Sequence, residues 1–204
     1  NATSNDSLEC IETLDPDYAT ANWTYENGNI DDGVTFSEIC SGNPNDTYVP
    51  DDNFEQALID LGYDDVLNDS VLTANISGVT TLNVSNDSIS DLTGIENFTA
   101  LTTLHCSYNQ LTSLDVNSNT ALTQLYCGDN QLTSLDVSTN AALSILHCRT
   151  NQLTSLDVSN NTALTVLDCH YNDLTSLDVS SNTALTELQC WNTSLTSLDV
   201  SSNT

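Results

Sequence analysis

The chain has 204 residues and a net charge of -28, with one Lys or Arg, 29 Asp or Glu, three His, seven Cys and no Met. A single basic side chain, Arg149, cannot neutralise a phosphate backbone or hold an anionic lipid surface, which excludes both as partners. Hydrophobic residues make up 38% and charged residues 15%, below the roughly 45–50% and 25% of ordinary globular chains, and no apolar run approaches the roughly 20 residues that span a bilayer.

The sequence begins at Asn1 without Met or leader, as expected of a processed or partial chain. Residues 1–46 form an amino-terminal segment that carries Cys10, Cys40, Trp23, Tyr18, Tyr25 and Phe36 among many Asn and Asp. It reads either as a small disulfide-closed cap or as the tail of a preceding domain. Cys10 and Cys40 are expected to pair in an oxidising compartment.

Residues 47–78 are expected to form an amino-terminal cap with a helix near 52–61. Asp51 or Asp52 supplies the N-cap, and Gly62 suits the stop. Phe54, Leu58, Ile59 and Leu61 lie near one helical face. Such a helix would cover the open edge of the first repeat.

From residue 79 the chain repeats. Five cysteines fall at 106, 127, 148, 169 and 190, a strict spacing of 21. The copies run 79–100, 101–121, 122–142, 143–163, 164–184 and 185–204. The first copy is degenerate, one residue longer, with Val84 where later copies have Cys, and the last is incomplete. Within a copy, Leu104 and Cys106 flank His105, and Leu114 and Val116 flank Asp115. That period-two alternation predicts two short strands per coil, each with one face inward. Coils of this kind stack into parallel sheets at about 4.8 Å per coil, and six would make a rod section of roughly 25–30 Å. No single coil can bury its own leucines, so stability comes from neighbours.

The pattern L-x-x-L-x-C-x-x-N-x-L-T-S-L-D-V-S-x-N resembles the leucine-rich repeat, and in particular a 21-residue class of bacterial secreted or cell-surface proteins. The stretch TYVPDDNFEQALIDLGYDDVLNDSVLTANI, from Thr47, resembles the amino-terminal cap of such proteins. Together the resemblance covers about three quarters of the chain. It implies a leucine-rich-repeat solenoid of stacked 21-residue coils with parallel β-sheets, closed by a helical cap behind a small disulfide-linked segment. The functional class it implies is a binding module, with no specific ligand.

Three sets of columns repeat with little variation. Asn109, Asn130, Asn151 and Asn172 form one, broken by Thr193, and Asn119, Asn140, Asn161, Asn182 and Asn203 form another. Turn amides of this kind satisfy backbone groups and stack coil on coil, which favours a structural role over ligand contact. The five repeat cysteines make a line and not a converging metal set, and read as small buried hydrophobes. Asp115, Asp136, Asp157, Asp178 and Asp199 point outward at one-coil spacing and must repel. Backbone amides and neighbouring hydroxyls are the expected compensation. Calcium is the one candidate ion, since oxygen ligands suit it, but no D-x-D-x-D-G loop is present.

Variation concentrates at four positions per coil, all expected to point outward from the first sheet. They place His105, Tyr108, Tyr126, His147, Arg149, His170, Tyr171 and Trp191 on one face. Aromatic, Arg and His side chains on a rigid exposed surface are interface-like, and repeat proteins bind through such surfaces. Drift at exposed positions, with Arg149 relieving Asp129 and Asp168, is the alternative.

Sequons occur at Asn1, Asn5, Asn22, Asn45, Asn68, Asn75, Asn83, Asn86, Asn97, Asn160 and Asn192. Ser7, Ser70 and Ser88 sit in Asp-Ser-apolar triplets that look like a bacterial periplasmic O-glycosylation acceptor. Both point outside the cytoplasm. No G-x-S-x-G, H-E-x-x-H, P-loop or G-x-G-x-x-G pattern is present, so no enzyme is expected.

Two functions remain. The first is a non-catalytic extracellular or cell-surface module that binds protein or glycan, or adheres, through the variable face, with no cofactor except possible calcium. The second is a glycosylated extracellular filament built by end-to-end contact of uncapped repeats, which -28 per subunit opposes unless cations intervene.

Overall fold

The computed structural model describes residues 45–203 and, before them, the backbone of two short strands. These strands, β1 (Cys10–Glu12) and β2 (Thr35–Ser37), pair in parallel with Cys10 opposite Thr35. They belong to a compact unit of their own, Asn1–Pro44. The expected Cys10–Cys40 bridge lies outside the described residues, as do Ser7 and Asn22.

The second unit starts at Asn45. β3 (Asp46–Tyr48) pairs antiparallel with β4 (Ser70–Leu72), so a boundary between 46 and 47 falls inside a strand. Between them runs α1 (Asp52–Asp60). Asp51 is its N-cap: Oδ1 accepts from the backbone N–H of Asn53 and Phe54, both at 3.0 Å. Gly62, at φ +80°, closes the other end: its N–H donates to Ile59 O and that of Tyr63 to Leu58 O. This is the paired reversal that a left-handed residue permits after a helix.

α1 buries Phe54, Glu55, Ala57 and Leu58. The face expected from the sequence is shifted. Ile59 is half-buried and Leu61 is 46% exposed, because the helix ends at Asp60 and the chain turns away. Two acids hold the helix in place. The buried Glu55 carboxylate accepts from the backbone N–H of Asn68, Asp69 and Ser70 at 2.9 to 3.1 Å. Asp51 Oδ2 accepts from Ser90 N, Ser90 Oγ and Asp91 N, on the first coil. Burial opposes ionisation of Asp51, but those bonds and the one from Phe54 outweigh it and hold its carboxyl below the usual range. A one-turn helix, α2 (Thr73–Ile76), leads into the coils.

β5 (Thr81–Asn83), β6 (Thr103–His105), β7 (Gln124–Tyr126), β8 (Ile145–His147), β9 (Val166–Asp168) and β10 (Glu187–Gln189) form one six-stranded parallel sheet in chain order. Register follows the repeat, with Leu82, Leu104, Leu125, Leu146, Leu167 and Leu188 aligned. Columns headed by Leu101, Leu104, Cys106, Leu111, Leu114 and Val116 fill the core. Each fully buried leucine is worth about 1.5–3 kcal/mol, and it gains that only against the next coil.

The second sheet expected from the L-D-V segments does not form. That side shows a single β-bridge, Asp115 with Asp136. One backbone bond per coil survives, from Gln131 N to Leu111 O and its equivalents from Gln152 and Asp173. Side chains replace the rest. Each Asp turns the backbone back on itself, and each Asn of the 119 column carries the link between coils.

Candidate binding face

The outer face of the sheet gathers the variable positions into three groups. In the first, His105 and Tyr126 stack with centroids 4.4 Å apart and planes within 6°, and His147 meets Tyr126 edge-on at 4.9 Å. Partial burial pushes both imidazoles below the usual histidine range, which favours their neutral form. In the second, Arg149 Nε donates to Asp129 Oδ2 at 3.3 Å and Nη2 donates to the Tyr108 hydroxyl at 2.9 Å. In the third, Trp191 stacks on His170 at 4.2 Å and 11°, and Tyr171 stands beside both, 4.7 Å from Trp191 and 5.4 Å from His170.

Not every variable residue is outward. His170 is 7% and Asp168 3% exposed. His170 is covered by Trp191, and its Nδ1 is hydrogen-bonded to the Asp168 carboxylate, so this pair forms the floor of the third group and not its surface. Tyr108, Tyr171 and Trp191 are about half exposed.

Position eight of each coil has a left-handed backbone: Tyr108, Asp129, Thr150, Tyr171 and Asn192 lie at φ between +49° and +59°. Asp and Asn suit that geometry, whereas Tyr and Thr do not. The invariant asparagine follows. In the 109 column, Nδ2 donates to a carbonyl of its own coil and one of the coil before, as Asn151 does to Cys148 O and Cys127 O, while Oδ1 accepts from Leu132 N. Thr193 keeps only the local bond, to Cys190 O. In the 119 column, Asn140 donates to Val116 O and Asn119 O, and Asn161, Asn182 and Asn203 repeat this.

The aspartate column finds its compensation in the backbone. Oδ1 of Asp115, Asp136, Asp157, Asp178 and Asp199 accepts at 2.9 Å from the N–H two residues on. Those bonds hold the carboxyls of the last four below the usual range. Among the described residues, the acids close enough to share an ion are Asp52, Glu55 and Asp69, and Glu55 commits both oxygens to backbone N–H groups. Of the sequon asparagines in the described region, Asn97 is half-buried and the others are exposed; Ser88 is exposed and Ser70 half-buried.

Sequence reasoning missed Gly128 and Glu55. Gly128 was visible as an outlier in a column of larger residues. Nothing in a single sequence marked Glu55 as buried.

The cysteines make a ladder inside the coils. Cys106, Cys127, Cys148 and Cys169 are buried, and Cys190 is half-buried. Burial pushes the Cys106 and Cys169 thiols up to about 12. The solved functional domain of InlJ from Listeria monocytogenes, described as including a cysteine ladder, is 44% identical to this chain with a TM-score of 0.71, covering 77% of this chain and 36% of that one. Internalin J of the same species is 46% identical over 72 residues. This chain is a leucine-rich-repeat protein homologous to internalin J. The latter match spans 35% of this leucine-rich-repeat chain and 8% of internalin J. An internalin of Listeria monocytogenes, inlF (23% identity, TM-score 0.68, covering 76% of this chain and 46% of that one), and a leucine-rich-repeat protein of Leptospira interrogans (24%, 0.52, 59% and 33%) share the fold. No family model matches the chain.

Proposed function

We propose that this leucine-rich-repeat chain is a non-catalytic cell-surface or secreted module that binds a protein ligand through the outer face of its sheet, in adhesion. One observation carries the reading. Coils that repeat almost unchanged elsewhere differ most on this face, and the differing side chains assemble into stacked aromatic, imidazole and guanidinium groups. Such groups dominate binding energy at protein interfaces. The homology to internalins supports the class. Extracellular placement is supported by the sequons and by the acidic, Asn-rich composition. Among the described residues no helix is long and apolar enough to cross a membrane. We assign α1 and the strands around it the role of amino-terminal cap, and Cys10 with Cys40 a bridge in the segment before it.

The test uses beads coated with the chain and settled on cell layers. Replacing Tyr126, Arg149 and Trp191 together by Ser, Gln and Ser is expected to abolish retention with unchanged circular dichroism. Equal retention would sink the reading. Filament assembly, the other sequence-level reading, makes no use of this face and would leave retention indifferent to the triple change.

A further inference from the structure

The sheet face holds one cation, and three coils cooperate to place it. Arg149 starts in one coil, lies back across the preceding coil and ends on Tyr108 in the coil before that. Gly128 opens the path: a Cβ there would stand 2.9 Å from Arg149 Cγ. Asp129 holds Nε from one side and the Tyr108 hydroxyl holds Nη2 from the other. Tyr108 does this from a left-handed backbone, at φ 59°, that a bulky aromatic residue disfavours and Asn would relieve. The remaining Nη hydrogens find no acceptor among the described residues, while the Arg149 side chain keeps 37% of its surface open.

Charge balance does not explain this arrangement. Among 29 acids, a lone cation would relieve repulsion from almost any address, and a surface ion pair of that kind contributes little. It needs neither a glycine channel nor a tyrosine two coils away. We propose that Arg149 is the anchor for a carboxylate, an Asp or Glu side chain, on the partner protein. This rests on the reading of the sheet face as a protein-binding surface.

The chemistry selects the ligand. A guanidinium presents parallel N–H donors that match a planar carboxylate. Asp129 beside it and the strongly negative chain repel dianions and polyanions more than a single carboxylate. Tyr126 lies between His105 and His147 on neighbouring strands, with one face stacked on His105 and His147 meeting it edge-on.

Arg149 is the sole arginine of the chain, so labelling with [15N]arginine gives a single Nε–Hε signal to report the site. The probes are the peptides acetyl-Gly-Glu-Gly-amide and acetyl-Gly-Gln-Gly-amide, glucuronate, and sodium chloride at matched ionic strength. The expected result is a saturable shift with the glutamate peptide, at least fivefold larger than with the glutamine peptide or salt. Gly128→Ala is expected to weaken the response while leaving the circular dichroism unchanged. No shift with the glutamate peptide, or an equal one with glutamine or salt, overturns the proposal. A larger shift with glucuronate overturns the protein carboxylate in favour of an acidic glycan. The two readings fail separately: if Arg149→Gln beads are retained normally while Tyr126→Ser/Trp191→Ser beads are not, the face stands and the anchor falls.

Discussion

Gly128 lies directly beneath the side chain of Arg149. A Cβ on residue 128 would approach Arg149 Cγ to 2.9 Å and its carbonyl oxygen to 3.2 Å. Replacing Gly by Ala where the backbone allows it ordinarily stabilises by about 0.4–1 kcal/mol. Here the steric conflict is expected to cancel that gain, and Gly128→Ala should be neutral or destabilising. In an Arg149→Ala background, where Cγ is gone and only the carbonyl contact remains, the same change should cost less. A urea double-mutant cycle reads the coupling, expected at about 0.5–1 kcal/mol.

Thr150 is β-branched at φ 51°, and among the described residues its side chain has no hydrogen-bond partner that would justify the strain. Thr150→Asn is expected to stabilise by about 1 kcal/mol, since Asn tolerates the left-handed region. A rise in Tm of a few degrees checks this, and a fall would show that the turn is not strained.

The Asn151 side chain joins two coils through four hydrogen bonds to backbone groups. Asn151→Ala leaves those groups without their partner in a tightly packed turn. Each orphaned group costs about 1–3 kcal/mol, so a loss of about 2–4 kcal/mol is expected in urea unfolding. Asn192→Ala, at an exposed left-handed position, is the comparison and should cost only about 1 kcal/mol, from the backbone alone.

Asp51 has its carboxyl held below the usual range in the folded state. Its contribution is therefore present above the unfolded value of 3.8 and lost as pH falls through the lower folded value. The stability difference between the native chain and Asp51→Asn should be largest near neutral pH and shrink below about pH 4. A difference independent of pH would leave the cap bonds without an electrostatic part.

Cys106, Cys127, Cys148 and Cys169 are buried with thiol pKa values raised, so they are protonated at pH 8 and shielded from reagents. A disulfide reagent at pH 8 is expected to leave these four unmodified until denaturant is added. Rapid labelling in the native state would mean that the ladder opens.

The solenoid was legible because neighbours in space are neighbours at a fixed sequence interval. A spacing of 21 aligns Leu104 with Leu125, so columns can be read by writing the copies under one another. Contacts off that interval could not be read. Arg149 reaches Tyr108 across 41 residues because its side chain is long and Gly128 has none. The burial of His170 depends on Trp191 folding down over it, which alternation alone does not reveal. Period-two alternation also overcalled the second sheet. L-D-V alternates like a strand, but Asp side chains compete for the backbone N–H groups that a ladder would use.

The amide bonds between coils run one way. Asn109, Asn130, Asn151 and Asn172 each reach back to a carbonyl of the preceding coil, and so do the members of the 119 column. Every coil therefore finds its docking template in a part of the chain made earlier. A polypeptide that emerges amino terminus first can wind itself up turn by turn, each completed turn serving as the mould for the next. Growth by duplication of the 21-residue unit adds new mould surface at one end and leaves the rest of the winding undisturbed.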